Sequence, residues 1–333
     1  MNTPIEQALR DCEVVLVNYR SAPHIETLLQ MWPQELAVAV VDNSANADGV
    51  RELLATRARG RYVDGGGVGF ARAANLGARS SAATIVIFVN PDSRPSAEAL
   101  ASLATGLSGD DTAISHAATM ESPKGETEQG VGGWEPTFAR VATYAVGLDH
   151  LAPKRGFFAR PPRGEQWDVD WTTGACMAVK RESFLSLGGF DEMFYVYAED
   201  MALGRRARAA GWRQVLRADV RVRHGAGNSG APSKEMLQLR GASFANYMLS
   251  YHPAVRAHAS LMAMGAGYGA RALATRWTGR GASMPALSFA RGLATRRASV
   301  GGVEVADERF REVSAGLRPR RGLSGLLSLG RRV

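Results

Sequence analysis

Cysteine is nearly missing from this 333-residue chain: only Cys12 and Cys176 occur, each inside an apolar run. Two are too few for a disulfide framework or a zinc cluster, so a reducing compartment is expected. No stretch approaches the roughly 18 uninterrupted apolar residues of a membrane span. The longest weakly apolar segment, Ala257 to Ala270, is short and rich in Gly and Ala. The first residues, Met1-Asn2-Thr3-Pro4-Ile5-Glu6, lack the basic and apolar regions of a secretion signal. The expected location is therefore cytoplasmic, either free or peripheral on the inner face of the plasma membrane. Two nucleotide motifs are missing as well. The cluster Asp64-Gly65-Gly66-Gly67-Val68-Gly69-Phe70 fits G-x-G-x-x-G/A in no frame, and no Gly-Lys-Ser/Thr follows it. A dinucleotide fingerprint and a P-loop are both excluded.

What is present is a globular balance, 45% hydrophobic and 22% charged, with net charge +8. The charge is uneven. From Arg256 to Val333 fourteen Arg face four carboxylates (Glu304, Asp307, Glu308, Glu312), a surplus of ten, which leaves about −2 on residues 1–255. Such a tail suits an anionic lipid surface, a phosphorylated substrate or nucleic acid. No aromatic stacking pattern accompanies it, so nucleic acid is not expected. Helices packed with Arg outward explain it equally well.

β-branched apolar runs alternate with helical segments in the first hundred residues: Cys12 to Asn18, Leu36 to Asp42, Arg61 to Val63, and Thr84 to Asn90. This predicts a parallel sheet covered on both faces. Ligands in such sheets bind beyond the C-terminal strand ends, where Asn18, Asp42, Asn90 and Asp92 stand. Residues 109–165 show little periodicity and predict an irregular stretch. Further on, Trp171 to Val179 and Val215 to Arg223 predict strands. Glu199 to Ala210 and Ser233 to Tyr251 predict helices, with a boundary near His252-Pro253.

Three constellations carry chemistry. Asn90-Pro91-Asp92 ends an apolar strand; a carboxylate there can hold a hard cation, although the tripeptide is also a common turn. Gly188-Gly189-Phe190-Asp191-Glu192 precedes Tyr195-Val196-Tyr197-Ala198-Glu199-Asp200 at a helix start. A carboxylate in that pair of clusters can take a proton from an attacking hydroxyl; helix capping is the simpler role. His224-Gly225-Ala226-Gly227-Asn228-Ser229-Gly230 sets a histidine beside a glycine loop, as metal or phosphate sites do.

In their order these pieces resemble the family 2 glycosyltransferases of the GT-A fold, particularly a bacterial rhamnosyltransferase-like branch. The matching segments are Val14 to Tyr19, Val40 to Ser44, Val68 to Gly77, Phe88 to Asp92, Gly174 to Val179, Gly189 to Glu192, Glu199-Asp200 and His224-x-x-Gly227-x-Ser229, covering about residues 12–250. The resemblance implies an α/β fold of the Rossmann-like nucleotide-diphospho-sugar transferase type, with a mixed, mostly parallel sheet and flanking helices. Residues 1–252 would be catalytic, with a nucleotide-sugar half at about 1–108 and an acceptor half at about 109–252. Residues 253–333 would be an Arg-rich helical extension.

Roles follow by resemblance. Asn18, Asp42, Arg72, Asn75, Asn90 and Asp92 would bind the nucleotide-sugar. Asp92 and His224 would hold Mg²⁺ or Mn²⁺ on the diphosphate. Asp200 would be the general base and Asp191 an acceptor-site acid, while Glu199, Gly227 and Ser229 would belong to the acceptor and diphosphate loop. Two positions depart from the family pattern: Gly67 stands where Asn is usual, and Ala202 where a second acid follows the base. The expected reaction is inverting transfer of a sugar, with dTDP-L-rhamnose as leading donor, to a glycan or lipid-linked acceptor in cell-envelope polysaccharide synthesis. A UDP-hexose or UDP-N-acetylhexosamine donor is the rival within the class. A degenerate binding protein and a nucleotidyltransferase are the alternatives outside it. The latter needs a Gly- and Lys-bearing loop where Tyr19-Arg20-Ser21-Ala22-Pro23 stands.

Overall fold

The structure is a computed structural model that describes residues 3–122, 125–128, 130–151, 154–225, 233–277 and 283–316. Gly227, Ser229 and the segment from Leu317 onward lie outside the described residues. From the N-terminus run α1 (Pro4–Ala8), β1 (Cys12–Asn18), α2 (Ala22–Met31), β2 (Ala37–Asp42), α3 (Val50–Leu54), β3 (Gly60–Asp64), α4 (Phe70–Arg79) and β4 (Ile85–Val89). Then come β5 (Ser93–Arg94), α5 (Ala97–Ser108), β6 (Ala113–Glu121), β7 (Gly132–Gly133), α6 (Phe138–Ala145) and a 3₁₀ turn at Leu148–His150. They are followed by β8 (Gln166–Val169), β9 (Trp171–Thr172), β10 (Cys176–Lys180), α7 (Arg181–Ser186), α8 (Glu199–Ala209) and β11 (Arg213–His224). The C-terminal part holds α9 (Ser233–Tyr251), α10 (Ala254–Trp277), α11 (Ser283–Thr295), the hairpin β12 (Ser299–Val300) and β13 (Val303–Glu304), and α12 (Asp307–Gly316).

The main sheet has the order β3-β2-β1-β4-β10-β6-β11-β5, with β8 alongside β11. Pairs β3–β2, β2–β1, β1–β4 and β6–β11 are parallel, whereas β10 runs antiparallel between β4 and β6. This is the mixed, mostly parallel sheet of the GT-A fold. Val14, Leu16, Val38 and Val40 face one buried layer, and Val15, Ala39 and Val41 the other, so both faces of β1 and β2 are covered. That is why these strands are continuously apolar. Helix α4 lies close against them. A Cβ on Gly77 would sit 2.5 Å from Val15 Cγ1, so only glycine permits this approach.

The stretch 109–165 is more ordered than its sequence pattern suggests. It contains β6, a nine-residue strand buried almost throughout. Ser115, His116 and Thr119 break the apolar signal but have partners inside: Ser115 Oγ donates to Gln214 Oε1 at 2.9 Å, His116 meets Arg217, and Thr119 donates to the Val220 carbonyl. The strand expected over Trp171 to Val179 is two strands, β9 and β10. Helix α3 is short and ends at Leu54.

The C-terminal helices are packed onto the sheet domain. Phe244, Tyr247, Met264 and Phe289 share one apolar cluster with Val141, Phe157, Trp171 and Met201. Glu135 ties the seam: its carboxylate accepts from Tyr247 Oη at 2.8 Å and Arg205 Nη1 at 3.1 Å, and meets Arg208 and His252 Nε2, the latter at 2.9 Å. Among the described residues no helix is long and apolar enough to cross a membrane. Cys12 and Cys176 are buried free thiols, and burial pushes both up to about 12.

Candidate active site

A cavity of about 660 Å³ opens beyond the C-terminal ends of β1 and β4 and the N-terminal end of the antiparallel β10. Its polar end is assembled by strand pairing. After β4 the chain turns through Asn90, whose N–H donates to Ala175 O at 2.9 Å, and Asp92 leads into β5. The two-residue β5 pairs with the last residues of β11, placing His224 opposite Ser93. The imidazole Nε2 then lies 3.3 Å from Asp92 Oδ1, and Nδ1 lies 2.8 Å from Glu128 Oε2. Glu128 arrives because the chain folds back after β6, its N–H donating to Met120 O at 2.8 Å. Burial opposes charge on His224, but the Asp92 and Glu128 carboxylates beside it prevail and push it up to about 9.

Asp92 is 5% exposed; its Oδ1 has the ion-pair contact with His224 but no hydrogen bond, and Glu128 Oε1 is likewise buried and unbonded. Unspent carboxylate oxygens beside an imidazole fit a hard divalent cation. Among the described residues no three His, Cys, Asp or Glu side chains form a ready cage.

Opposite this cluster stands the start of α8. Tyr197 and Ala198 both take left-handed backbone conformations, with φ of 67° and 71°. Such positions cost energy in residues bearing a Cβ and gather at functional sites. They deliver Asp200 to the cavity wall, where its Oδ1 accepts the Met201 N–H at 2.7 Å. Burial raises the proton affinity of Asp200 against the opposing Met201 hydrogen bond and the Arg240 charge. Its neighbour Glu199 is raised further, by burial and then by Asp200, and its Oε2 has no hydrogen-bond partner. The Gly69 backbone packs on this segment: φ is +86°, and a Cβ would lie 2.5 Å from Tyr195 O.

The expected residues divide. Asn90, Asp92, Asp200 and His224 line the cavity. Asn18 and Asp42 are fully buried register partners behind it. Asn18 Nδ2 donates to Asp42 Oδ1 at 2.9 Å. Asp42 in turn accepts from Ser44, Asn46 and Tyr62, which outweighs burial and holds it below the usual carboxylate range. At that end Val17, Tyr19 and Asn43 line the cavity instead. Asn75 is fully buried and clamps Phe190, donating to its carbonyl at 2.9 Å and accepting its N–H at 2.8 Å. Arg72 pairs with Glu192 and Glu312, and Asp191 accepts from Tyr251 Oη and the Met193 N–H. None of these three side chains lines the cavity. Sequence reasoning passed over Glu128 and Arg240. Glu128 lies in the stretch taken as irregular, and Arg240 looks like any helical arginine until α9 is folded over the site.

The description of glycosyl transferase family 2 matches residues 11–188, just over half of the chain. The chain belongs to that family. The description of glycosyl transferase family 21 also matches residues 159–279. An N-acetylglucosaminyl-diphospho-decaprenol L-rhamnosyltransferase of Mycobacterium tuberculosis is 43% identical over 56 residues, 17% of this chain and 18% of that protein. A low-salt glycan biosynthesis hexosyltransferase, Agl10 of Haloferax volcanii, is 27% identical over 206 residues, 60% of this chain and 62% of the relative. The chain thus spans less than two thirds of the length of these curated relatives. The mannosyltransferase PcManGT of Pyrobaculum calidifontis, solved with GDP-Man and Mn²⁺, superposes with a TM-score of 0.56 at 18% identity, covering 86% of each chain. It shares the fold of this chain.

Proposed function

We infer that this glycosyltransferase moves a sugar from a nucleotide-diphospho-sugar to an acceptor hydroxyl by a single, inverting displacement that depends on a divalent metal. The observation that carries this is one cavity in which Asp92, Glu128 and His224 face Asp200. Asp92 and Glu128 would hold Mg²⁺ or Mn²⁺, with His224 joining them only on giving up its proton; bound there, the ion would offset charge on the departing diphosphate. Asp200 accepts the acceptor's hydroxyl proton. The acceptor oxygen forms its bond to the anomeric carbon, and the bond from that carbon to the diphosphate oxygen breaks, releasing a nucleoside diphosphate. A carboxylate of raised proton affinity suits this work near neutral pH. The strained Tyr197–Ala198 pair positions it, and Arg240 beside it limits how far its proton affinity rises.

For the donor, dTDP-L-rhamnose is the leading choice and a UDP-hexose the second. The first rests on resemblance and on a short match to a rhamnosyltransferase; the second is favoured by the longer match to a hexosyltransferase. A lipid-linked glycan acceptor is in keeping with the acceptor named in the mycobacterial relative.

Thermal shifts with dTDP, UDP and GDP, each with and without Mn²⁺, test the site on wild type and Asp92→Ala. One nucleotide should stabilise wild type with metal, by mass action, and Asp92→Ala should lose that increment. If no nucleotide shifts the protein at millimolar levels, the transferase mechanism proposed for this cavity is wrong.

A further inference from the structure

The cavity is larger than its polar end, and the remainder has a different chemistry. Beyond Asp200 its walls are Tyr144, Phe157, Phe158, Phe244, Tyr268 and Phe289, from α6, α9, α10, α11 and the loop before β8. The few polar groups there are spent on one another or on the backbone. Tyr144 Oη and Tyr268 Oη share a hydrogen bond at 3.3 Å, and Trp171 Nε1 donates to Trp134 O at 3.2 Å. A sugar brought here would leave its hydroxyls unbonded, which is costly in an enclosed apolar space. An apolar chain would not.

At the junction of the two ends stands Arg240. Among the described residues its guanidinium makes no ion pair; it lies between the rings of Tyr197 and Phe158, 5.9 and 6.0 Å from their centroids. A guanidinium held between aromatic faces with its donors unspent is suited to a phosphate.

The outer surface of the same elements is also apolar. Of ten exposed large hydrophobic side chains among the described residues, eight lie on α6, the turn after it, α10 and α11. Val255, Met262 and Leu273 are spaced by seven and eleven residues, so they form one stripe along α10. Concentration on the elements that wall the apolar chamber points to a lipid surface as the source of its occupant.

We propose that the aromatic chamber binds the apolar chain of a lipid acceptor and that Arg240 pairs with the phosphate joining that chain to the acceptor sugar. This deepens the function proposed above and rests on it. The C-terminal helices then select the acceptor by its lipid, while the strand ends handle the donor.

Isothermal titration with farnesyl phosphate tests the subsite without turnover, using farnesol, inorganic phosphate and N-acetylglucosamine for comparison. Farnesyl phosphate should bind at least about tenfold more tightly than any of the three. Arg240→Gln should lose about tenfold for farnesyl phosphate and leave farnesol unchanged, since a charge-assisted contact is removed. Phe158→Ala, at a half-buried position, should weaken both. Nucleotide–Mn²⁺ thermal shifts on the same variants report an intact donor site. If those shifts persist while farnesyl phosphate fails to bind, binds no better than N-acetylglucosamine, or ignores both substitutions, the subsite is refuted. If wild type shows no nucleotide shift either, the transferase mechanism falls and the subsite with it.

Discussion

Glu135 offers the most quantitative test of how the C-terminal helices are held. Its carboxylate is mostly buried and collects Tyr247 and His252 from α9 and its end, and Arg205 and Arg208 from α8. Burial alone would raise its proton affinity; hydrogen bonds from His252, Tyr247 and Arg208 and the Arg208 charge win, lowering it from 4.5 to about 2. A folded-state value below the unfolded one gives stability that is complete above the unfolded value and lost as pH falls toward the folded one. A difference of about 2.5 units corresponds to about 3.4 kcal/mol at pH 7. By pH 3 roughly 2 kcal/mol of that has gone. Glu135→Gln keeps the shape and accepts hydrogen bonds but carries no charge, so it should be less stable than wild type by about 3 kcal/mol at pH 7. The gap should close to roughly 1–2 kcal/mol at pH 3. Urea unfolding of both proteins at several pH values measures this directly. A gap that stays constant from pH 7 to pH 3 would refute the linkage, and a negligible gap at neutral pH would mean that the ionised carboxylate contributes nothing to the seam.

Further outcomes follow from the site. Asp200→Asn should lower kcat by about 10²- to 10⁴-fold, the usual range for a general base, while nucleotide affinity stays within about twofold; parallel loss of binding would make Asp200 a binding residue. Asn75→Ala should cost about 2–3 kcal/mol by unsatisfying the buried Phe190 backbone and leave nucleotide affinity unchanged. Weakened nucleotide binding at unchanged melting temperature would restore the donor contact that the family resemblance implies. Gly69→Ala combines a positive φ with a 2.5 Å approach to Tyr195 O. It should cost at least about 1–3 kcal/mol, seen as a lowered melting temperature.

Much of this architecture was legible in the residues, for identifiable reasons. The apolar runs of β1, β2 and β4 announce a doubly covered sheet because both faces are buried, and Asp92 stands out as the acid where such a run stops. His224 was visible for the same reason, at the end of β11. What stayed hidden depends on contacts between distant segments. Ser115, His116 and Thr119 made β6 look irregular because their partners lie about a hundred residues away. Glu128 becomes part of the site only when the chain folds back along β6. Asn18, Asp42 and Asn75 carry the polarity expected of ligand contacts, yet their hydrogen-bonding capacity is taken up internally, which no local pattern reveals.

The seam at Glu135 bears on how such a protein could be re-engineered. The carboxylate at Asp92 and the aromatic wall from α9 to α11 come from segments far apart in the chain, which invites exchange of the wall for that of another member of the family. A transplanted segment, α9 with the residue that follows it, that lacked the hydroxyl of Tyr247 or the imidazole of His252 would leave a buried anion short of partners at the joint. The graft boundary is therefore set by this electrostatic knot, and an exchanged segment should begin before Ser233 and keep both partners.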